Sequence, residues 1–156
     1  LTQVAGLVNI FVRPADDTDE PFLRELYAST RPDLMALPEP TRSAILDMQY
    51  NLQRSQYAQS YPDREHWIVL DGSEPIGHYM SFENEDVFHF LHMALLPEHR
   101  NSGIGSAIFS DSFTRGKAVT LQVLTDNPAR QLYLRLGFVE TEIQGMHVMM
   151  RRYPES

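Results

Sequence analysis

The chain has 156 residues, 42% of them hydrophobic, enough to bury one core in a single domain over residues 1–156. Its 13 Lys and Arg against 21 Asp and Glu leave a net charge of −8, which speaks against a grip on nucleic acid or anionic lipid. The absence of cysteine excludes disulfides, thiolate metal sites and a cysteine nucleophile. No apolar run approaches the ~20 residues of a membrane span, and the first residues lack a signal-peptide layout. The expectation is a soluble, cytoplasmic protein whose start at Leu1 reflects processing or trimming.

Residues 7–13 carry Val8, Ile10, Phe11 and Val12, a strand-like run that Pro14 stops. Asp17 followed by Glu20 reads as a capping box, opening a helix with Phe22, Leu23, Leu26 and Tyr27 on one face. The proline-marked residues 31–40 are predicted as a loop. A second helix follows over residues 40–57, with Ile45, Met48 and Leu52 as its buried stripe and Tyr50, Tyr57 and Tyr61 as packing or pocket residues. Residues 66–70 and 75–82 form a hairpin about Asp71-Gly72. Residues 87–96 make a longer strand, apolar enough on both faces to be central. A helix over 103–115, a strand over 119–124 and a short helix over 128–136 come next, the last closed by Gly137. Two final strands, 138–144 and 146–151, are split by Gly145, and the apolar run from Met146 to Met150 suits either a core strand or pairing with a second copy in a homodimer. Strands interleaved with helices, with hairpins mixed in, predict an α/β domain with a mixed sheet.

The most informative window is LLPEHRNSGIGS, from Leu95 to Ser106. Gly103 and Gly105 fall where a loop turns into a helix, so that successive N–H groups and the helix terminus form an anion cradle, with Arg100 at its edge as a mobile charge partner. Two familiar phosphate motifs fail here: a dinucleotide fingerprint needs a small residue where Ile108 stands, and the Gly116-Lys117-Ala118 triplet lacks the hydroxyl of a Walker loop. A second window, VLTDNPARQLYLRLGF, is again strand, turn and helix, and Asn127 is placed to cap that helix.

Together, Arg100-x-x-Gly103-x-Gly105 and Asn127-Pro128-Ala129-Arg130-x-Leu132-Tyr133-x-x-x-Gly137-Phe138 resemble the GNAT superfamily of acyl-CoA-dependent N-acetyltransferases. The resemblance implies a mixed, mostly antiparallel sheet with a splayed pair of central parallel strands, flanked by helices. It implies acetyl-CoA as co-substrate and no metal. On this pattern the pyrophosphate is held by the backbone of Arg100, Asn101, Ser102, Gly103, Ile104, Gly105 and Ser106. The pantetheine arm lies against the strand end at Met93 and Leu95 and is contacted by Asn127. Tyr133 takes the role of the acid that protonates the leaving thiolate, a task suited to a phenol.

One departure stands out. Where many members place a glutamate base before the asparagine, this chain has Gln122, which cannot take a proton. His89 and His92 are the remaining candidates on the central strand, and His89 is taken as the catalytic base. Three residues apart on a regular strand, they are expected on opposite faces, so that at most one serves the substrate. Glu83 and Glu85 are acidic alternatives. Transfer needs a free amine, and a lysine-like amine of pKa about 10.4 carries a deficit of roughly 4.6 kcal/mol at pH 7. The leading expectation is direct acetyl transfer to a primary amine of a small molecule. The alternatives are a protein or peptide acceptor and a non-catalytic acyl-CoA-binding module. The acceptor pocket is expected among the first two helices and the hairpin residues 79–85.

Overall fold

A computed structural model describes residues 1–155. Two strands, β1 (Thr2–Gln3) and β2 (Ile10–Pro14), precede three helices, α1 (Glu20–Ser29), α2 (Pro32–Met35) and α3 (Thr41–Ser60). Then come β3 (Glu65–Asp71), β4 (Glu74–Glu83), β5 (Val87–Leu95), α4 (Ile104–Ser112), β6 (Ala118–Leu124), α5 (Ala129–Arg135), β7 (Val139–Gln144) and β8 (His147–Arg152). The strands form one sheet in the order β1-β2-β3-β4-β5-β6-β8-β7, in which β5 and β6 alone run parallel. This is the expected mixed, mostly antiparallel sheet with one central parallel pair. Helices α1 and α3 cover one face, and α4 packs on the other through Phe109 against Phe90, at 4.7 Å between ring centroids. The core between α4, α5 and the sheet centres on Phe138, Val119, Val148 and Met150.

Three local expectations are corrected. The capping box sits one residue earlier: Asp16 accepts from Thr18 N–H, and Asp19 reaches back to the Asp16 N–H at 2.9 Å. Arg13 sets that register, because it grips the buried Asp19 carboxylate with two bonds of 2.9 and 2.7 Å and holds its pKa below the usual range. Residues 31–40 contain the short helix α2. In α3 the predicted stripe fails, since Met48 and Leu52 are 61% and 56% exposed while Tyr50 is buried. Arg24 bridges to Asp47 at 2.6 Å and lies over the Tyr50 ring, and Arg54 bridges to Glu20 at 2.7 Å, so the helix turns Tyr50, Gln53 and Tyr57 inward.

Of the two readings left open for the last strand, the structure takes the core one. β8 lies between β6 and β7, with Val148 and Met150 fully buried, so its apolar run is core and does not offer a free edge. The free edge belongs to β7, whose residues are exposed and include Glu140 and Glu142, charges that discourage edge pairing. Among the described residues no helix is long and apolar enough to cross a membrane.

Candidate active site

The loop between β5 and α4 builds the anion cradle. Asn101 and Gly103 both adopt left-handed backbone, with φ of 59° and 86°, and a Cβ on Gly103 would project into open space. The first bond of α4 is Ala107 N–H to the Gly103 carbonyl at 3.0 Å. From residue 101 to 106 no N–H donates to another described residue, which leaves a run of donors beside a helix N-terminus. Arg100 differs from expectation: its N–H is spent on the Pro97 carbonyl, and its Nε donates to the Leu95 carbonyl at 3.0 Å. It is therefore a fixed brace between the loop and the end of β5, not a mobile partner.

Ladder pairing of β5 with β6 runs from Val87↔Ala118 to Phe90↔Leu121 and stops. Beyond that point the strands splay. Met93, Leu95, the loop from Arg100 to Ser106, Asn127 and Tyr133 line one cleft of about 570 Å³. A second cavity of about 530 Å³ occupies the gap itself, between Leu91, His92 and Met93 on one side and Gln122, Val123 and Leu124 on the other. Asn127 and Tyr133 line both. Asn127 Oδ1 accepts the Ala129 N–H at 2.9 Å, so the side chain is oriented by capping α5 and keeps its amide donors for the cleft. Tyr133 is held edge-on against Phe109 and Phe138, at 5.3 and 5.9 Å, and burial raises its pKa, so it enters any reaction as a protonated donor.

A bulge redraws the histidines. Met80 pairs with His92 and Ser81 with Phe90, so Leu91 is an extra residue in β5. The extra residue brings His89 and His92 onto the same face, contrary to the expectation from strict alternation. Their surroundings differ. His89 is hydrogen-bonded to Thr120 Oγ1 at 2.6 Å, lies beside Tyr61, and lines neither cavity. His92 faces the gap and also a third cavity of about 190 Å³, enclosed by α1, α3 and the sheet. Glu83 is bound by Lys117 at 2.8 Å and Arg115 at 3.0 Å, and neither it nor Glu85 reaches these cavities. Gln122 lies in the gap, on the exposed side of β6.

The α1–α3 pocket adds two residues the sequence did not single out, His66 and His78, to the candidate His92. The three stand on neighbouring strands, with His66 Nε2 and His78 Nδ1 2.8 Å apart and the His78 and His92 rings 5.1 Å apart. Burial lowers the pKa of all three, His66 to about 4 with Arg64 adding to the effect. They are neutral imidazoles at neutral pH, able to accept a proton. Of the expected hairpin residues, Met80 lines the pocket, whereas Tyr79 turns to the opposite face against Phe90. Thr30 and Ala94 line this pocket and the large cleft alike, so the two open on each other. Among the described residues no group of three His, Asp or Glu side chains is arranged to hold a metal ion.

Residues 62–140, just over half of the chain, match the family model of the acetyltransferase (GNAT) domain. No curated protein sequence matches the chain. Among solved structures, the PaiA N-acetyltransferase of Thermoplasma acidophilum in complex with coenzyme A aligns with a TM-score of 0.68 at 19% identity, over 94% of this chain and 99% of that one. A spermidine N-acetyltransferase chimera of Vibrio cholerae SpeG and hSSAT aligns at 0.65 and 21%, over 94% and 96%. The ribosomal-protein-S18-alanine N-acetyltransferase of Escherichia coli aligns at 0.64 and 15%, over 94% and 95%. At these identities the likeness is one of fold.

Proposed function

The chain belongs to the GNAT acetyltransferases, and on that premise we propose that it moves the acetyl group of acetyl-CoA directly to a primary amine of a small molecule. The observation that carries this reading is the meeting of a small pocket with the cleft that carries the anion cradle, at Thr30 and Ala94, and with the gap between β5 and β6, at His92. The cleft fits the co-substrate. The donors of residues 101–106 suit its pyrophosphate, and the unpaired edge of β5 from Leu91 onward suits the amide-bearing arm. Fold relatives named for spermidine and for a ribosomal-protein alanine leave the acceptor open. The pocket favours the small molecule, since about 190 Å³ is below the range of roughly 300–1,000 Å³ for drug-sized ligands and offers no groove for a peptide.

In this reading the amine nitrogen attacks the thioester carbonyl, a C–N bond forms and the C–S bond breaks. His92 accepts the proton that the amine loses, and Tyr133 donates one to the departing thiolate; both face the gap between β5 and β6. The lowered pKa of His92 and the raised pKa of Tyr133 keep each group in the required protonation state at neutral pH. The test is CoA release from acetyl-CoA over a panel of small primary amines and peptides. Turnover of small amines is expected. Preference for peptides would move the acceptor to a protein, and acetyl-CoA binding without CoA release across the panel would leave a non-catalytic acyl-CoA module.

A further inference from the structure

We infer that the acceptor is an α-amino acid bearing a second, terminal amine on its side chain, held by its zwitterionic head at the outer end of the α1–α3 pocket. This rests on the acetyl-transfer reading above. The pocket has two ends. His92 and Ala94 lie at the inner end, shared with the co-substrate cavities. The outer end is marked by Arg64 and His66 at the start of β3; Ala15 N–H donates to the His66 carbonyl at 2.9 Å and so seats the turn before α1, whose Asp17 also lines the pocket, beside that strand.

Most charges around the pocket are already matched. Glu20 accepts from Arg24 at 3.2 Å and from Arg54 at 2.7 Å, and Asp16 caps the following turn. Two are not. Arg64 donates only from Nη1, to the Tyr61 carbonyl at 3.3 Å, and its Nε is buried with no partner. The Asp17 carboxylate, on an exposed residue at the pocket's rim, has no hydrogen bond or ion pair among the described residues, and it does not pair with Arg64 although both line the same pocket. A guanidinium and a rim carboxylate, both without an ionic partner in one pocket, suit a ligand group with both charges: its carboxylate on Arg64, its ammonium at Asp17. A plain diamine would leave Arg64 unmatched and set a cation beside it, and a simple amino-carboxylate with no α-ammonium would leave Asp17 unmatched.

The interval to the reacting end fits the same molecule. From His66 the pocket floor reaches His92 in two ring-to-ring steps of 5.0 and 5.1 Å. A side chain of four methylenes and an amine spans ~6 Å, and a hydrogen bond adds ~3 Å at either end. The floor between is uncharged, formed by the His66–His78 pair, so it neither captures nor repels a cation midway.

The experiment measures kcat/KM for CoA release at saturating acetyl-CoA with L-lysine, cadaverine and 6-aminohexanoate. L-Lysine is expected to exceed each of the other two by about 10- to 100-fold, the value of one charge-assisted contact. Arg64→Gln is expected to raise the KM for L-lysine by a similar factor and to collapse its advantage over cadaverine, with Arg64→Lys restoring part of it; acetyl-CoA affinity checks that each variant folds. Should a variant fail to fold, the wild-type ratios decide alone. Cadaverine or 6-aminohexanoate turned over as well as L-lysine, or an advantage that survives Arg64→Gln, would overturn this inference and leave acetyl transfer standing. Acetyl-CoA binding with no turnover of any amine would overturn the underlying reading as well.

Discussion

The buried imidazoles tie stability to pH in a way that one substitution isolates. His66 titrates at about 4 in the folded chain, chiefly because burial disfavours its charged form and Arg64 repels it, against 6.5 when unfolded. Folding therefore expels a proton. The stability contributed is fully present above pH 6.5 and is lost as pH falls from 6.5 toward 4, because the unfolded chain binds the proton first. Linkage over the interval from pH 7 to pH 5 amounts to about 2 kcal/mol for this group alone. His78 and His92, lowered in the same direction, add to it. The carboxylates do not interfere in that window, since Asp19 and Glu83 are held below their ordinary values and lose their contribution only at more acid pH. Urea unfolding followed through the single tryptophan, Trp67, at pH 7, 6 and 5 measures the loss. His66→Gln is expected to lose about 2 kcal/mol less than the wild type between pH 7 and 5. Equal losses in the two proteins would refute the assignment of this linkage to His66.

Tyr133→Phe should lower kcat by about 10²-fold or more while acetyl-CoA affinity changes little, and an unaltered kcat across the pH range would remove the phenol from the reaction. His92→Gln is expected to reduce kcat/KM by about 10²-fold and to flatten the acid limb of the pH–rate profile. His89→Gln, by contrast, breaks the bond to Thr120 and should lower the urea midpoint while that limb keeps its position. Gly77→Ala places a Cβ 2.5 Å from Leu95 Cδ2 and 2.6 Å from the Ala94 carbonyl, a clash the main chain cannot evade cheaply. It should cost about 1–3 kcal/mol in thermal unfolding and weaken acetyl-CoA binding by calorimetry, because the strand it displaces borders the cleft.

The cleft proposed for the co-substrate was legible as a cluster of residues because each part of it is local. Gly103 and Gly105 act on the backbone of their own loop, and Asn127 and Tyr133 sit on one turn and helix, so spacing along the chain is spacing in space. The mixed sheet and its helices followed from element order for the same reason, whereas the central parallel pair was implied by the family resemblance. The pocket proposed for the acceptor has no such locality. His66, His78 and His92 come from three strands and Tyr57 from a helix, and nothing in any one segment marks them as neighbours.

Two rules that read the rest of the chain also give the wrong answer at this site, and they fail for one physical reason. The rule that apolar residues point inward assigned Met48 and Leu52 to the buried face of α3, yet the inward face of that helix looks into a pocket of mixed polarity and carries Tyr50, Gln53 and Tyr57. The rule of strict alternation set His89 and His92 on opposite faces, yet Leu91 bulges out of the ladder. Both rules assume that a segment packs against a dry core or a regular neighbour. An open cavity beside the point where two strands part satisfies neither condition, so departures from periodicity gather there. The bulge is then part of how the site works: it brings His92 to the pocket side while Met93 and Leu95 stay on the cleft side. A single strand thereby lines the cavity proposed for the acyl donor and the one proposed for the amine, with the reacting centres meeting across it.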